Sequence, residues 1–114
     1  MTARRVLGLG AVTVDDLLYV DHYPAPDEKV PVQRRQREAG GLAGTALAAA
    51  ARLGVPAAFF GILGDDEWSR FTLEAFAQDG VSCDLVERRA GAGPLYSLIL
   101  IDIATAQRTI LFDA

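Results

Sequence analysis

Residues 40–54 have the sequence GGLAGTALAAAARLG, in which two glycines precede a run of small, mostly apolar side chains and another glycine follows it. Alanine and leucine favour helix, so this stretch predicts an α-helix over residues 42–53 with Gly54 just past its end. Paired glycines at the entrance let backbone approach a ligand closely, and the first amides of a helix attract hydroxyls or anions. We therefore expect a ligand site where this helix begins.

The segments around this helix alternate between strand and helix patterns. Apolar runs at residues 6–9 and 57–63 predict two buried strands, and residues 81–87 predict a third. A second helix is expected from a cap at Asp65 or Asp66 to about residue 78, ended by Gly80. Its predicted core face comprises Trp68, Phe71, Leu73, Ala75 and Phe76. The alternation predicts an α/β fold with a parallel sheet.

Four further strand patterns do not fit a simple alternation of strands and helices. They cover residues 14–21, 29–37, 95–103 and 108–112, and the last two have the spacing of a hairpin. We expect them to form a separate small sheet beside the mouth of the main one, with Arg34, Arg35 and Arg37 on a solvated face. Residues 109–112 resemble a buried strand at the end of a narrow sheet. This ending suggests that the chain is part of a larger fold.

The composition excludes several classes of function. The chain has 114 residues, of which 51% are hydrophobic and 23% charged, with a net charge of −4, so it predicts a globular domain without general attraction to nucleic acid. A single cysteine excludes an internal disulfide, and one histidine with one cysteine argues against a zinc site. No apolar run approaches the roughly 18 residues that cross a bilayer. We expect a cytoplasmic protein without metal ligands of its own.

Two features suggest chemistry, and each has a structural alternative. Asp15 and Asp16 follow the carboxyl end of the first strand, where ligands bind in open α/β sheets. Adjacent strand residues face opposite ways, so only one of these carboxylates can face a cleft; the other reading is a solvated strand end. Gly40 and Gly41 have two interpretations: they let a ligand approach the backbone closely, or they meet a purely steric requirement at the helix entrance. The stretch from Gly8 to Thr13 resembles a dinucleotide-binding motif, but it lacks the third glycine of that motif and is not followed by a helix pattern.

The order of these motifs resembles that of a known family. Residues 6–10 followed by Asp15, residues 23–28, residues 40–54 and residues 64–66 match in order and spacing, and residues 108–111 add a fifth segment. Together they resemble the ribokinase-like (PfkB) carbohydrate kinases, and within that family the ketohexokinase-like members. The resemblance covers essentially the whole chain.

This resemblance implies an architecture, a reaction and a set of site residues. The architecture is the N-terminal part of a three-layer αβα core, spanning residues 1–114, with a small β-sheet lid at about 14–38 and 95–112. The reaction is transfer of the ATP γ-phosphoryl group, with Mg²⁺, to a hydroxyl of a sugar or related polyol. Arg108 resembles a residue near the transferred phosphate. The implied substrate-binding residues are Asp15, Gly40, Gly41, Thr45 and Thr13.

The chain also departs from the family pattern. Leu42 and Thr45 stand where asparagines are usual, and Ser69 stands where glycine is usual. The family's second signature, a Gly-Ala-Gly-Asp stretch that supplies the catalytic base, does not occur, so we assign no catalytic residue and expect the chain alone to be inactive. It would act with a complementary C-terminal half, or pair with another copy through its lid strands. The alternative is a non-catalytic sugar-binding or dimerisation module.

Overall fold

Residues 4–113 contain seven strands, arranged in two sheets, and two helices. The coordinates are a computed structural model that describes residues 4–113. In chain order the elements are β1 (Val6–Gly8), β2 (Thr13–Val20), β3 (Arg34–Gly40), α1 (Leu42–Arg52), β4 (Ala57–Leu63), α2 (Glu67–Asp79), β5 (Ser82–Arg88), β6 (Leu95–Asp102) and β7 (Arg108–Phe112). The chain divides into two units. The first comprises the residues up to Val14 with Ala39–Leu95, and the second comprises Asp15–Glu38 with the residues from Tyr96 onward.

The first unit is built on a parallel sheet with strand order β1-β4-β5. Helix α1 packs on β1 and β4, α2 packs on β5, and the two helices contact each other. Both helices therefore cover the same face of this sheet, as right-handed crossovers require. The core contains Leu47, Leu63 and the ring pair Phe59–Phe76, whose centroids are 5.3 Å apart.

The burial of these strands corrects two expectations. Val6 and Leu7 of β1 are 44% and 56% exposed, because β1 lies at the edge of the sheet. Phe60 and Ile62 of β4 are 50% and 41% exposed, because alternate residues of this strand face away from the helices. Ala57, Ala58 and Phe59 are consecutive and buried, so β4 is covered on both faces where it begins and on one face further along.

Helix α2 has well-defined ends. The Asp66 carboxylate accepts a hydrogen bond from the Ser69 amide at 3.0 Å, so Asp66 rather than Asp65 is the N-cap. The Ser69 hydroxyl in turn accepts from the Gly64 amide at 2.9 Å. Gly80 ends the helix with φ +79°, a left-handed conformation that glycine adopts without penalty. The predicted core face was partly wrong: Phe76 is buried, but so are Ser69 and Thr72, whereas Trp68 and Phe71 are only half-buried.

The second unit contains the other sheet, with strand order β3-β2-β6-β7. Strands β6 and β7 form the expected antiparallel hairpin, with Ile99 opposite Ile110. Strand β3 begins at Arg34 and not at residue 29, since Pro31 interrupts the valine alternation and has no amide to donate. The strand β7 residues are all exposed, which corrects the expectation that residues 109–112 are buried.

A turn between β2 and β3 is fixed by polar contacts. His22 Nε2 donates to Glu28 Oε1 at 2.7 Å, and the Ala25 amide donates to Glu28 Oε2 at 2.8 Å. The carboxylate raises the pKa of His22, chiefly through this hydrogen bond. Among residues 4–113, no helix is both long and apolar enough to cross a membrane.

Candidate functional site

The entrance to α1 is shaped by the conformation of Gly41. Gly41 is the N-cap, with φ +89° and ψ 155°, a region of backbone space that is almost confined to glycine. A Cβ at this position would overlap the Ala11 carbonyl. Gly41 is therefore required sterically, whatever ligand lies nearby.

The Ala11 carbonyl also occupies the start of the helix. It accepts hydrogen bonds from the amides of Ala43 and Gly44, at 3.1 and 3.4 Å. Two of the first amides of α1 are thus already paired by the protein. This corrects the expectation that the helix N-terminus offers its amides freely to a ligand.

A cavity of about 220 Å³ in the first unit brings together three of the predicted substrate-binding residues. Thr13, Gly40 and Thr45 all line it, although Thr13 is far from the other two in the sequence. The cavity continues between α1 and α2, where Ala48, Ala49, Arg52, Thr72, Ala75, Phe76 and Asp79 complete much of its wall. Gly41 does not line the cavity, and neither does Leu42, which is 88% exposed.

Two residues that line this cavity carry buried hydroxyls without a hydrogen-bond partner among the described residues. Thr13 Oγ1 and Thr72 Oγ1 are both shielded from solvent and form no hydrogen bond among the residues that the structure describes. Because neither oxygen has appreciable accessible surface, other atoms of these two threonines line the cavity. The sequence analysis missed Thr72. Its position one helical turn before the core residue Phe76 is the signal that would have found it.

The two adjacent carboxylates of the second unit, Asp15 and Asp16, differ in their hydrogen-bond partners. Asp16 is paired: Arg37 donates from Nε to Oδ1 at 2.7 Å and from Nη2 to Oδ2 at 3.0 Å, and the Tyr96 hydroxyl donates to Oδ2 at 2.7 Å. The hydrogen bond from Arg37 lowers the pKa of Asp16, and the bond to Asp16 raises the pKa of Tyr96. Asp15, which is half-buried, forms no hydrogen bond or ion pair within residues 4–113. Of the two carboxylates, Asp16 is held by its neighbours in the second unit and Asp15 is not.

The arginines near these carboxylates are not simply solvated. Arg37 belongs to the Asp16 pair, and the guanidinium of Arg34 lies 4.0 Å from the centre of the Tyr19 ring. Arg34, Arg35 and Arg37 are all exposed, so the predicted solvated face is confirmed, and two of its arginines also contact residues of β2. Each contact joins β3 to β2, so the arginines hold two neighbouring strands together.

Arg108 lies on the same face of the second sheet as Asp15. Asp16 and Tyr96 contact each other across β2 and β6, so Asp15 lies on the opposite face, together with the odd-numbered residues of β6. Arg108 is directly opposite Ile101 in the hairpin and shares its face. Its exposed guanidinium has no hydrogen-bond or ion-pair partner within the described residues.

Comparison with known proteins identifies the family. The family model described as pfkB family carbohydrate kinase matches residues 4–114. The chain belongs to the pfkB family. This confirms the family resemblance read from the motifs.

Individual pfkB relatives agree with this assignment. The ribokinase of Haemophilus influenzae is 34% identical over 73 residues, which are 64% of this chain and 24% of that protein. The fructokinase of Xylella fastidiosa, solved with bound ATP, is 26% identical with a TM-score of 0.76, and the match covers 99% of this chain and 34% of that one. The ribokinase of Arabidopsis thaliana, solved with ribose and ATP, is 23% identical with a TM-score of 0.83, and the match covers 98% of this chain and 36% of that one. The α/β, ribokinase-like fold is confirmed, and the chain spans about a third or less of these pfkB proteins.

Proposed function

We propose that this chain supplies the sugar-binding part of an ATP-dependent carbohydrate kinase that phosphorylates a hydroxyl of a sugar or related polyol. The observation that carries the proposal is the cavity in the first unit, which is lined by Thr13, Gly40 and Thr45. These are residues that the family resemblance had assigned to the substrate. Family membership supports the reaction class.

In this proposal Asp15 is the strongest single contact to the substrate. A carboxylate accepts hydrogen bonds from two sugar hydroxyls, and such charge-assisted bonds are stronger than neutral ones. What supports the choice is that Asp15 has no partner within residues 4–113, whereas Asp16 is held by Arg37 and Tyr96.

The remaining substrate residues have smaller roles. The Thr45 hydroxyl exchanges a hydrogen bond with one sugar hydroxyl, Thr13 forms part of the cavity wall, and Gly40 lets the sugar approach the backbone. Gly41 acts indirectly, because it sets the direction in which α1 begins. Thr45 is shorter than the asparagine usual at its position in the family, so the substrate differs in shape or hydroxyl pattern from those that asparagine selects.

We propose that Arg108 contacts a phosphate of ATP. Its guanidinium is exposed and unpaired within the described residues, and arginine matches the geometry of phosphate oxygens. The bound ATP of the Xylella fastidiosa fructokinase supports the nucleotide. Mg²⁺ would neutralise phosphate charge, but no group of three or more His, Cys, Asp or Glu side chains that could hold a metal occurs among residues 4–113. We assign no metal ligand to the described residues, and we assign no catalytic base because the sequence lacks the Gly-Ala-Gly-Asp stretch.

The test uses the complete kinase with ATP and a panel of pentoses, hexoses, polyols and nucleosides. The Asp15→Asn change should lower kcat/KM by about 10- to 150-fold, as expected for losing a hydrogen bond to a charged group. The matched control is Asp16→Asn, which removes the neighbouring carboxylate and should mainly affect stability. Full activity of Asp15→Asn, or no phosphorylation of any compound by the wild type, would contradict the proposal.

A second candidate is a dimerisation role for the second sheet. Its edge strand β7 exposes Ile110, Leu111 and Phe112, and Phe112 is 67% exposed. Exposed apolar edge strands favour pairing with another chain. We propose a cytoplasmic homodimer paired through this sheet. Sedimentation of the wild type and of Phe112→Lys tests it: the wild type should be dimeric and the variant monomeric, and a monomeric wild type would rule the dimer out.

A further inference from the structure

The cavity of the first unit extends between α1 and α2. Arg52 and Asp79, near the C-terminal ends of the two helices, both line it and are hydrogen-bonded to each other at 2.8 and 2.9 Å. Thr45 and Thr72 line it seven residues earlier in their helices, which is about 10 Å along each helix axis. The two helices therefore run side by side in the same direction and form opposite walls of the cavity.

The middle of these walls, which we call the interhelical part of the cavity, is apolar. It is lined by Ala48 and Ala49 of α1 and by Ala75 and Phe76 of α2. The backbone amides and carbonyls inside a helix are paired with each other, so they offer few hydrogen bonds to a ligand. The hydroxyl oxygen of Thr72 has no appreciable accessible surface and cannot contact a ligand either. A polar group placed here would lose its hydrogen bonds to water without replacing them, which is costly.

The charged residues at the C-terminal ends of the helices do not change this conclusion. Arg52 and Asp79 are the two charged residues among those that line the cavity, and they form an ion pair with each other. Neither charge therefore requires an ion of opposite sign in the cavity. The interhelical part is suited to an uncharged apolar group.

The size of the cavity indicates how large that group can be. The cavity stays open because alanines form most of the interhelical walls, and its volume is about 220 Å³. An apolar cavity of about 150 Å³ engineered in another protein binds benzene, so the volume here is sufficient for an aromatic ring. Transfer of such a ring from water into an apolar space is favourable.

We propose that the interhelical part binds an apolar substituent of the substrate, up to the size of a phenyl ring, and that Ala48 and Ala75 determine which substituents fit. This inference rests on the proposed function, because Gly40 and Thr45 line the same cavity and hold the polar part of the substrate in that proposal. It adds a specificity to that function. The preferred phosphoryl acceptor carries an aryl or short alkyl group and is not a free sugar.

The experiment compares matched acceptors with the complete kinase. The value of kcat/KM is measured for each free sugar of the panel and for derivatives that carry one phenyl group at each position in turn. The test variant is Ala48→Leu, which fills the interhelical part. The matched control is Ala46→Leu, which places the same side chain on α1 at an exposed residue that does not line the cavity. Urea unfolding checks that each variant folds, and Ala75→Leu replaces Ala48→Leu if the latter does not.

The inference predicts a preference that depends on the open space. In the wild type, kcat/KM for the best phenyl derivative should exceed that for the free sugar by about 10- to 150-fold, the factor expected for burying a group of this size. Ala48→Leu should abolish this preference and leave kcat/KM for the free sugar near the wild-type value, whereas Ala46→Leu should retain it. Benzene gives a readout that does not depend on phosphorylation. It should raise the thermal unfolding midpoint of the wild type and of Ala46→Leu, but not that of Ala48→Leu.

The opposite results separate this inference from the proposed function. A wild type that phosphorylates a free sugar at least as well as every phenyl derivative would overturn the inference and leave the proposed function intact. A preference that survives in Ala48→Leu, one that is lost equally in Ala46→Leu, or a wild type that benzene does not stabilise would overturn the inference in the same way. A wild type that phosphorylates no compound would overturn the proposed function and this inference with it.

Discussion

Replacing Gly41 by alanine tests the account of the α1 entrance. Gly41 has φ +89° and ψ 155°, and an added Cβ would overlap the Ala11 carbonyl, which is itself fixed by the Ala43 and Gly44 amides. The Gly41→Ala change should therefore destabilise the fold through two effects: an unfavourable backbone conformation and a clash that neither backbone segment can relieve easily.

The magnitude follows from those two effects. A non-glycine residue in this backbone region costs about 1–3 kcal/mol. Overpacking against a fixed neighbour adds about 1–3 kcal/mol. We expect a total loss of about 3–4 kcal/mol, which is a roughly 150- to 700-fold change in the unfolding equilibrium. With a urea m-value near 2 kcal/mol/M, the midpoint should fall by about 1.5–2 M.

The assay is urea unfolding followed by circular dichroism, with Gly80→Ala as the matched control. Gly80 also has a positive φ of +79°, but nothing lies within 4 Å of a Cβ there. Gly80→Ala should lower the free energy of unfolding only by the conformational cost, about 1–2 kcal/mol. If Gly41→Ala lost no more stability than Gly80→Ala, the contact with the Ala11 carbonyl would not constrain the helix entrance, and the steric explanation of Gly41 would be wrong.

Three further changes test the polar contacts. Asp16→Asn should cost about 1–2 kcal/mol at pH 7. Folding lowers the pKa of Asp16, so the ionised carboxylate stabilises the folded state above its unfolded pKa of about 3.9. This stabilisation is lost as the pH falls through the folded pKa. The unfolding curves of wild type and variant should therefore converge in acid. Glu28→Gln should lower the pKa of His22 in an NMR titration, since Glu28 is the main cause of its upward shift; an unchanged titration would place the cause elsewhere. Arg52→Met should lower the free energy of unfolding, measured by thermal unfolding, by less than about 1 kcal/mol. The Arg52 side chain is 70% exposed, so water screens its ion pair with Asp79. A larger loss would mean that this ion pair holds α1 and α2 together.

The sequence predicted the elements better than their burial. Helix α1, the Asp66 cap and the β6–β7 hairpin follow from local chemistry: alanine content, a capping carboxylate and a turn. Burial depends on neighbours that are distant in sequence. Val6 and Phe60 look like core residues, yet β1 is an edge strand and Phe60 faces away from the helices, which the apolar pattern alone does not reveal.

The candidate site shows the same limit. Gly40, Thr13 and Asp15 were selected from motif order. The motif order does not reveal that Asp16 is paired, because its partners Arg37 and Tyr96 are 21 and 80 residues away in sequence. Thr72 was overlooked because a single threonine in an amphipathic helix resembles a surface residue until its neighbours are known.

The hydrogen bond between Tyr96 and Asp16 has a consequence for biosynthesis. Its partners are 80 residues apart, and at about 5–20 residues per second the ribosome needs roughly 4–16 s to deliver the second after the first. During that interval β2 and β3 have only each other, and an isolated pair of strands is at best marginally stable in water. The first unit is emerging in the same period, because most of its residues lie between β3 and β6. The first unit of a nascent chain should therefore fold before the second sheet is complete. Until then the β2–β3 pair is the segment most accessible to chaperones and proteases.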